Sequence, residues 1–187
     1  MRVSAFESFG SSIATNLLSG GLEDITLPIA GLFPLDLRRA RISGMVSAVA
    51  SDVTGLSSGL LCGAIPVASL ASMSNLFATF GGGTPPPPCD ASVVVSNLSD
   101  ALIAGARLGP IRVGPSQPDV DLDGDGLESY VVDDTGPGGC QPVIVSCVDG
   151  DGTLISGHDC TRDIRMADAW SAGLPFTAVG ANIVGVR

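Results

Sequence analysis

The sequence predicts an α+β fold with short helices, several strands and an acidic metal loop in the C-terminal third. Three observations carry this reading. Apolar residues recur at helical spacing after capping residues near positions 4, 66, 97 and 161. Period-two stretches stand at residues 25–29 and, less regularly, at 35–49. Seven acids crowd into residues 119–134 with no base among them.

Ser4 and Glu7 have the capping-box spacing, and Phe6, Phe9, Ile13 and Leu17 follow on one helical face. Gly20-Gly21 supplies a stop. Ile25, Leu27 and Ile29 then alternate, which reads as a strand. From Leu35 to Val49 the alternation is poor, because Arg38, Arg39 and Arg41 interrupt both parities. Such a cluster could bind an anion, but it reads first as a solvated strand face or as a partner for carboxylates elsewhere.

Pro66 starts a short helix through Val67, Leu70, Ser74 and Phe77. The run from Gly81 to Pro88 bends at its glycines and stiffens at its prolines, which marks a linker or long loop. Asn97 caps a helix with Leu98, Ala101, Leu102 and Gly105 on one face. Thr161 or Asp163 caps a last helix through Ile164, Ala167, Trp170 and Ser171, ended by Gly173 and Pro175. Phe176 to Val186 is apolar and β-branched, a final strand. The expected organisation is an apolar α+β region at 1–80, a linker or loop at 81–89 and a metal-loop region at 90–187, or one composite domain.

The chain has 187 residues and a formal charge of −10. Residues 1–118 carry seven acids and six Arg, while residues 119–187 carry twelve acids and three Arg. No Lys is present, so the GxxxxGK phosphate loop is excluded. Without a basic stripe, nucleic acid is not an expected partner. His158 is the single His, and no G-x-S-x-G elbow is present, so the chain is not expected to be an enzyme.

Five Cys with no CxxC argue for disulfides rather than zinc. Cys147 with Cys160 brackets an acidic hairpin, and Cys62 with Cys89 brackets an apolar helix and the Pro run, which leaves Cys140 over. Disulfides imply export, so the expected location is secreted or cell envelope. The first twenty residues carry no apolar leader core, so that reading takes Met1 as added to a mature chain. The alternative is a cytosolic protein with reduced thiols.

Carboxylates at alternate positions repel one another, and a hard dication relieves the repulsion by taking six to eight oxygen ligands. Asp121, Asp123 and Asp125 stand at first, third and fifth positions, with Gly126 at the sixth. Leu127 offers a carbonyl at the seventh. A second register uses Asp119, Asp121, Asp123 and Gly124. Asp119, Glu128 and Asp133 are further ligand candidates. Cys147-Val148-Asp149-Gly150-Asp151-Gly152 repeats the Asp-Gly element. It is either a hairpin turn or a second arm, Asp149 and Asp151, that meets the first at one ion or holds its own.

The segment from Asp121 to Leu127 resembles the calcium loops of EF-hands, dockerins and thrombospondin type 3 repeats, and is most similar to the last. The resemblance implies calcium as the ion, with an acid at position twelve. Val132 stands there, with Asp133 and Asp134 just beyond. The wider segment to the apolar C-terminal strand resembles the tails of secreted bacterial proteins of myxobacterial type, which have no established activity. The expected function is a calcium-binding extracellular structural or adhesion module, with a surface partner or other copies of itself. A self-assembling subunit and a metal-dependent hydrolase are the alternatives.

Overall fold

The computed structural model describes residues 12–14, 16–29, 33–49, 52–74, 97–108, 111–136, 140, 142–156 and 160–179. Strands dominate them, and the α+β expectation is overturned: the fold is β-rich. Among the described residues ten strands run β1 (Ser12–Ala14), β2 (Leu17–Ile29), β3 (Phe33–Val49), β4 (Asp52–Pro66), β5 (Ala106–Leu108), β6 (Ile111–Val113), β7 (Ser129–Asp133), β8 (Val143–Val148), β9 (Leu154–Ser156) and β10 (Ala169–Val179). The two α-helices among the described residues are short, α1 (Val67–Ala71) and α2 (Leu98–Ala104).

The chain divides into two compact units. The first comprises Met1–Leu27, Asp36–Ala64 and Ser171–Arg187, and the second Pro28–Leu35 and Ile65–Trp170. The sheets are β1-β2-β3-β4-β10, β5-β6 and β7-β8-β9. The Gly/Pro segment at 81–89 lies outside the described residues.

Two predicted helices are replaced by strands. Ile13 falls in β1 and Leu17 in β2, where Ile13 pairs with Leu18 and Leu17 with Ala14. The helical spacing from Phe6 to Leu17 therefore does not describe this stretch, and its residues up to 11 lie outside the described ones. At the other end, Thr161 stands in a 3-10 turn, Cys160–Arg162, and β10 has begun by Ala169. The backbone of Val120 takes up Ala169 with bonds in both directions, 2.9 and 3.0 Å, so residue 169 is extended rather than helical. Pro175 lies inside β10, the last strand in the sheet order, where a missing N–H costs no ladder bond.

The irregular alternation of 35–49 has a structural cause. Leu35 and Leu37 are buried on one parity, and Ala40, Ile42 and Val46 on the other. Between them the β3–β4 register shifts from Arg38 to Arg41, and Arg39 takes a positive φ of 51°. One extra residue at this bulge moves the apolar set back to the same face. Arg38 meets Asp24 at 2.7 Å, and Asp24 also accepts the Arg39 amide, so part of the arginine cluster is paired as expected.

In the first unit, Leu18, Val46 and Leu56 form a core cluster, with Phe176 and Ala178 packed against it. Gly59 lets β10 close over β4, because a Cβ there would stand 2.7 Å from the Phe176 carbonyl oxygen and 2.8 Å from its ring. In the second unit, α1 packs on α2 and on the turn Cys160–Arg162, and α2 also packs on β7 and β8. Val67 and Ile103 are fully buried there. Helix α1 is shorter than predicted and ends at Ala71, and Phe77 lies outside the described residues. Helix α2 starts at its predicted cap: Asn97 Oδ1 accepts the Asp100 amide at 2.8 Å. Its buried residues are Ser99, Ala101, Ile103 and Ala104, a face rotated from the predicted one because Ser99 Oγ donates to the Val67 carbonyl at 3.2 Å. Asn97 is nine-tenths or more buried, so Asn97→Ala is expected to cost about 1 kcal/mol in urea unfolding, as for other lost caps.

Candidate metal centre

Cys147 and Cys160 form the expected disulfide, across 13 residues. It ties β8 to the turn before β10. The expected Cys62–Cys89 pair is overturned: Cys62 is free, on β4 opposite Arg41. Cys140, the expected leftover, is itself disulfide-bonded. His158 also lies outside them.

The acidic run between the Val120–Ala169 bridge and β7 forms a tight loop. Gly124 and Gly126 adopt positive φ values of 91° and 116°, which L side chains avoid, so the chain doubles back on itself. Asp121 anchors the turn: its Oδ1 accepts the Gly124 amide at 2.6 Å and its Oδ2 the Gly126 amide at 3.3 Å. Asp123 Oδ1 accepts the Asp125 amide at 3.3 Å. One carboxylate oxygen from each of Asp121, Asp123 and Asp125 lies within 4.8 Å of the others. This group could hold a metal ion. No arginine pairs with it among the described residues. Partial desolvation, a hydrogen bond to Asp123 and the charges of Asp123, Asp151 and Asp121 raise the Asp125 carboxyl above its ordinary value.

The second Asp-Gly run meets the first through backbone. A Cβ on Gly150 would overlap Asp125 Oδ1 and stand 2.6 Å from Asp125 Cγ and 2.7 Å from the Gly126 carbonyl oxygen. Asp151 acts on Asp125 by charge. Asp149 does not turn toward the group: it is buried, and its Oδ1 accepts the Thr153 amide at 2.6 Å within the β8–β9 turn. Gly150→Ala is expected to push Asp125 outward and to lower stability by about 1–3 kcal/mol, as overpacking does. Urea unfolding in chelator checks it.

The remaining sequence candidates are dispersed. The Asp119 amide donates to the Ala169 carbonyl at 3.0 Å, and its side chain is outside the three-carboxylate group. The Leu127 side chain is exposed. Asp133 closes a turn after β7, where its bonds to the Thr135 hydroxyl and amide hold its carboxyl below the ordinary value.

Glu128 is buried and faces away from solvent into a polar cluster. Its Oε1 accepts the Ala167 amide at 3.1 Å and its Oε2 the Asp168 amide at 3.0 Å, while its own amide donates to Asp168 Oδ2 at 2.7 Å. Asp168 is fully buried, and nothing in the spacing of the sequence pairs it with a residue 40 positions earlier. Burial first, then the hydrogen bond to Asp168 and its charge, push the Glu128 carboxyl up to about 8 from 4.5, against the two backbone donors. The folded chain thus holds a proton that the unfolded chain releases between those values. The stability that this carboxyl contributes is therefore fully present below pH 4.5 and is lost as pH rises toward 8. Urea midpoints across this range, in chelator, are expected to decline. In Asp168→Asn the new amide keeps an acceptor for the Glu128 N–H and offers a donor to an ionised Glu128, so the decline is expected to flatten.

Among the described residues no helix is long and apolar enough to cross a membrane. Comparison of the chain with known protein families, with curated proteins and with solved structures finds no match.

Proposed function

We propose that Asp121, Asp123 and Asp125 bind one calcium ion, and that the protein is an extracellular or envelope-exposed structural module which this ion stabilises. The observation that carries the reading is the convergence of three carboxylate oxygens within 4.8 Å, with no arginine paired to them among the described residues. Three negative charges at that separation favour a hard dication over any neutral occupant. Oxygen-only donors suit calcium, whose flexible coordination of six to eight ligands tolerates carbonyls and waters. Magnesium demands a stricter octahedron. With three carboxylates and no closing bidentate acid in the group, the affinity belongs to the weak extracellular class, with a dissociation constant on the order of 10⁻⁴–10⁻³ M.

The ion's role is structural on this reading. The loop it closes joins the Val120–Ala169 bridge to β7 and packs against Gly150 of the β8–β9 turn, next to the Cys147–Cys160 disulfide. The disulfide supports an oxidising location. Amide spectra recorded during a calcium titration test the assignment. Residues 121–126 and Gly150 are expected to shift and to saturate in the millimolar range. Shifts confined to other residues would place the ion elsewhere.

A further inference from the structure

The segment 167–170 holds both ends of the acidic loop. On the entry side, the amides of Asp119 and Val120 each donate to the Ala169 carbonyl at 3.0 Å, and the Ala169 amide donates back to the Val120 carbonyl at 2.9 Å. The Trp170 indole N–H adds a bond to the Ser116 carbonyl at 3.2 Å. On the exit side, the Glu128 amide donates to Asp168 Oδ2 at 2.7 Å. The amides of Ala167 and Asp168 donate to the two Glu128 carboxyl oxygens at 3.1 and 3.0 Å. The gripping segment is itself rooted in the second unit. Asp168 and Ala169 are 0% exposed, and the Asp168 carbonyl accepts the amide of Val67, the first residue of α1, at 2.9 Å.

Neighbouring Cα atoms are about 3.8 Å apart, so gripping residue 120 by Ala169 and residue 128 by Asp168 draws the loop ends together. Between them lie Asp121, Asp123 and Asp125, whose converging oxygens repel one another. Held ends remove chain entropy that ion binding would otherwise have to overcome. We infer that residues 167–169 are a positioning clamp for the acidic loop, that Asp168 is its key side chain, and that ion binding and clamp closure strengthen each other. The ion in this inference rests on the calcium reading of the loop. Asp168 stands outside the three-carboxylate group and acts through the Glu128 amide. Coupling between two sites is reciprocal, so an ion in the loop secures the amides of Asp168 and Ala169 as much as the clamp secures the ion.

Amide spectra and hydrogen exchange of the full chain, in chelator and with added calcium chloride, test this on the wild type, Asp168→Ala and Asp168→Asn. In the wild type, calcium is expected to shift residues 121–126. It should also slow exchange at Glu128, Asp168 and Ala169 by a larger factor than at Ala101 in α2. Asp168→Ala strands the buried Glu128 amide, and its calcium midpoint is expected to rise by about tenfold. Asp168→Asn loses the same charge but keeps an acceptor for that amide, and is expected to bind calcium as the wild type does. An equal loss of affinity in both variants would show that the charge of Asp168 acts rather than the clamp, and would overturn the inference. Loop shifts with no added protection at Asp168 and Ala169 would overturn the coupling and leave the calcium reading standing. No loop shift would sink the calcium reading instead. The clamp is then judged in chelator, where Asp168→Ala is expected to move the Gly124 and Gly126 amides and Asp168→Asn to leave them in place. Unmoved loop amides in Asp168→Ala would overturn the clamp in either case. Should Asp168→Ala not fold, Glu128→Gln takes its place, since its single amide oxygen leaves one of the Ala167 and Asp168 amides without a partner.

Discussion

Calcium is expected to raise the thermal unfolding midpoint of this protein, and the double change Asp121→Asn, Asp123→Asn to abolish the rise. A ligand that binds only the folded state stabilises it by mass action, about 2.7 kcal/mol at a hundredfold excess over its dissociation constant. For a weak site that excess needs calcium well above the millimolar range, so the dependence on concentration is itself diagnostic. Without metal, the double mutant is expected to lie close to the wild type, because two opposed effects act: two of the three mutually repelling charges are gone, but at position 121 a single amide oxygen replaces two acceptors, so one of the Gly124 and Gly126 amides loses its partner. Melting curves with chelator and with graded calcium separate these effects. A full calcium response in the double mutant would show that the ion binds elsewhere.

Removal of the Cys147–Cys160 disulfide is the second large effect. The bond closes a chain segment of 13 residues, and a loop of that size restricts the unfolded ensemble by roughly 3 kcal/mol. Both sulfurs are buried, Cys147 at 0% and Cys160 at 1% exposure, so replacement by Ala also removes packing. The change Cys147→Ala, Cys160→Ala is expected to lower stability by about 3 kcal/mol or somewhat more. It should also loosen the turn that presses Gly150 against Asp125, so the calcium response is expected to weaken with it. Urea unfolding of the oxidised wild type and of the double variant, with and without calcium, reads both consequences. A variant of unchanged stability would mean that the turn is held by β8–β9 pairing alone.

The parts of this structure that were legible in the sequence are those fixed by local chemistry. Asn97 caps α2 because its side chain needs only the amide three residues on. The Asp121 loop was legible because Asp and Gly at fixed offsets force a tight turn whatever surrounds it. Cys147 and Cys160 were legible as a bracket around a hairpin. What the sequence misrepresented depends on distant partners. Trp170 looked helical from its spacing with Ile164 and Ala167, yet the neighbouring Ala169 is held extended by Val120, 49 positions away, and the indole N–H donates to the Ser116 carbonyl at 3.2 Å. The bulge at Arg39 shifted the apolar parity of β3 and disguised a 17-residue strand. Glu128 resembled a ligand by its place after the loop. Its real partner, Asp168, is joined to it only by the fold.

Titration calorimetry on metal-free protein tests the central claim most directly. The account predicts one calcium bound per chain in the millimolar range, a heat unaffected by equal magnesium, and no heat from the Asp121→Asn, Asp123→Asn variant. No binding heat from the wild type at any of several temperatures, with no movement of its melting curve, would contradict it.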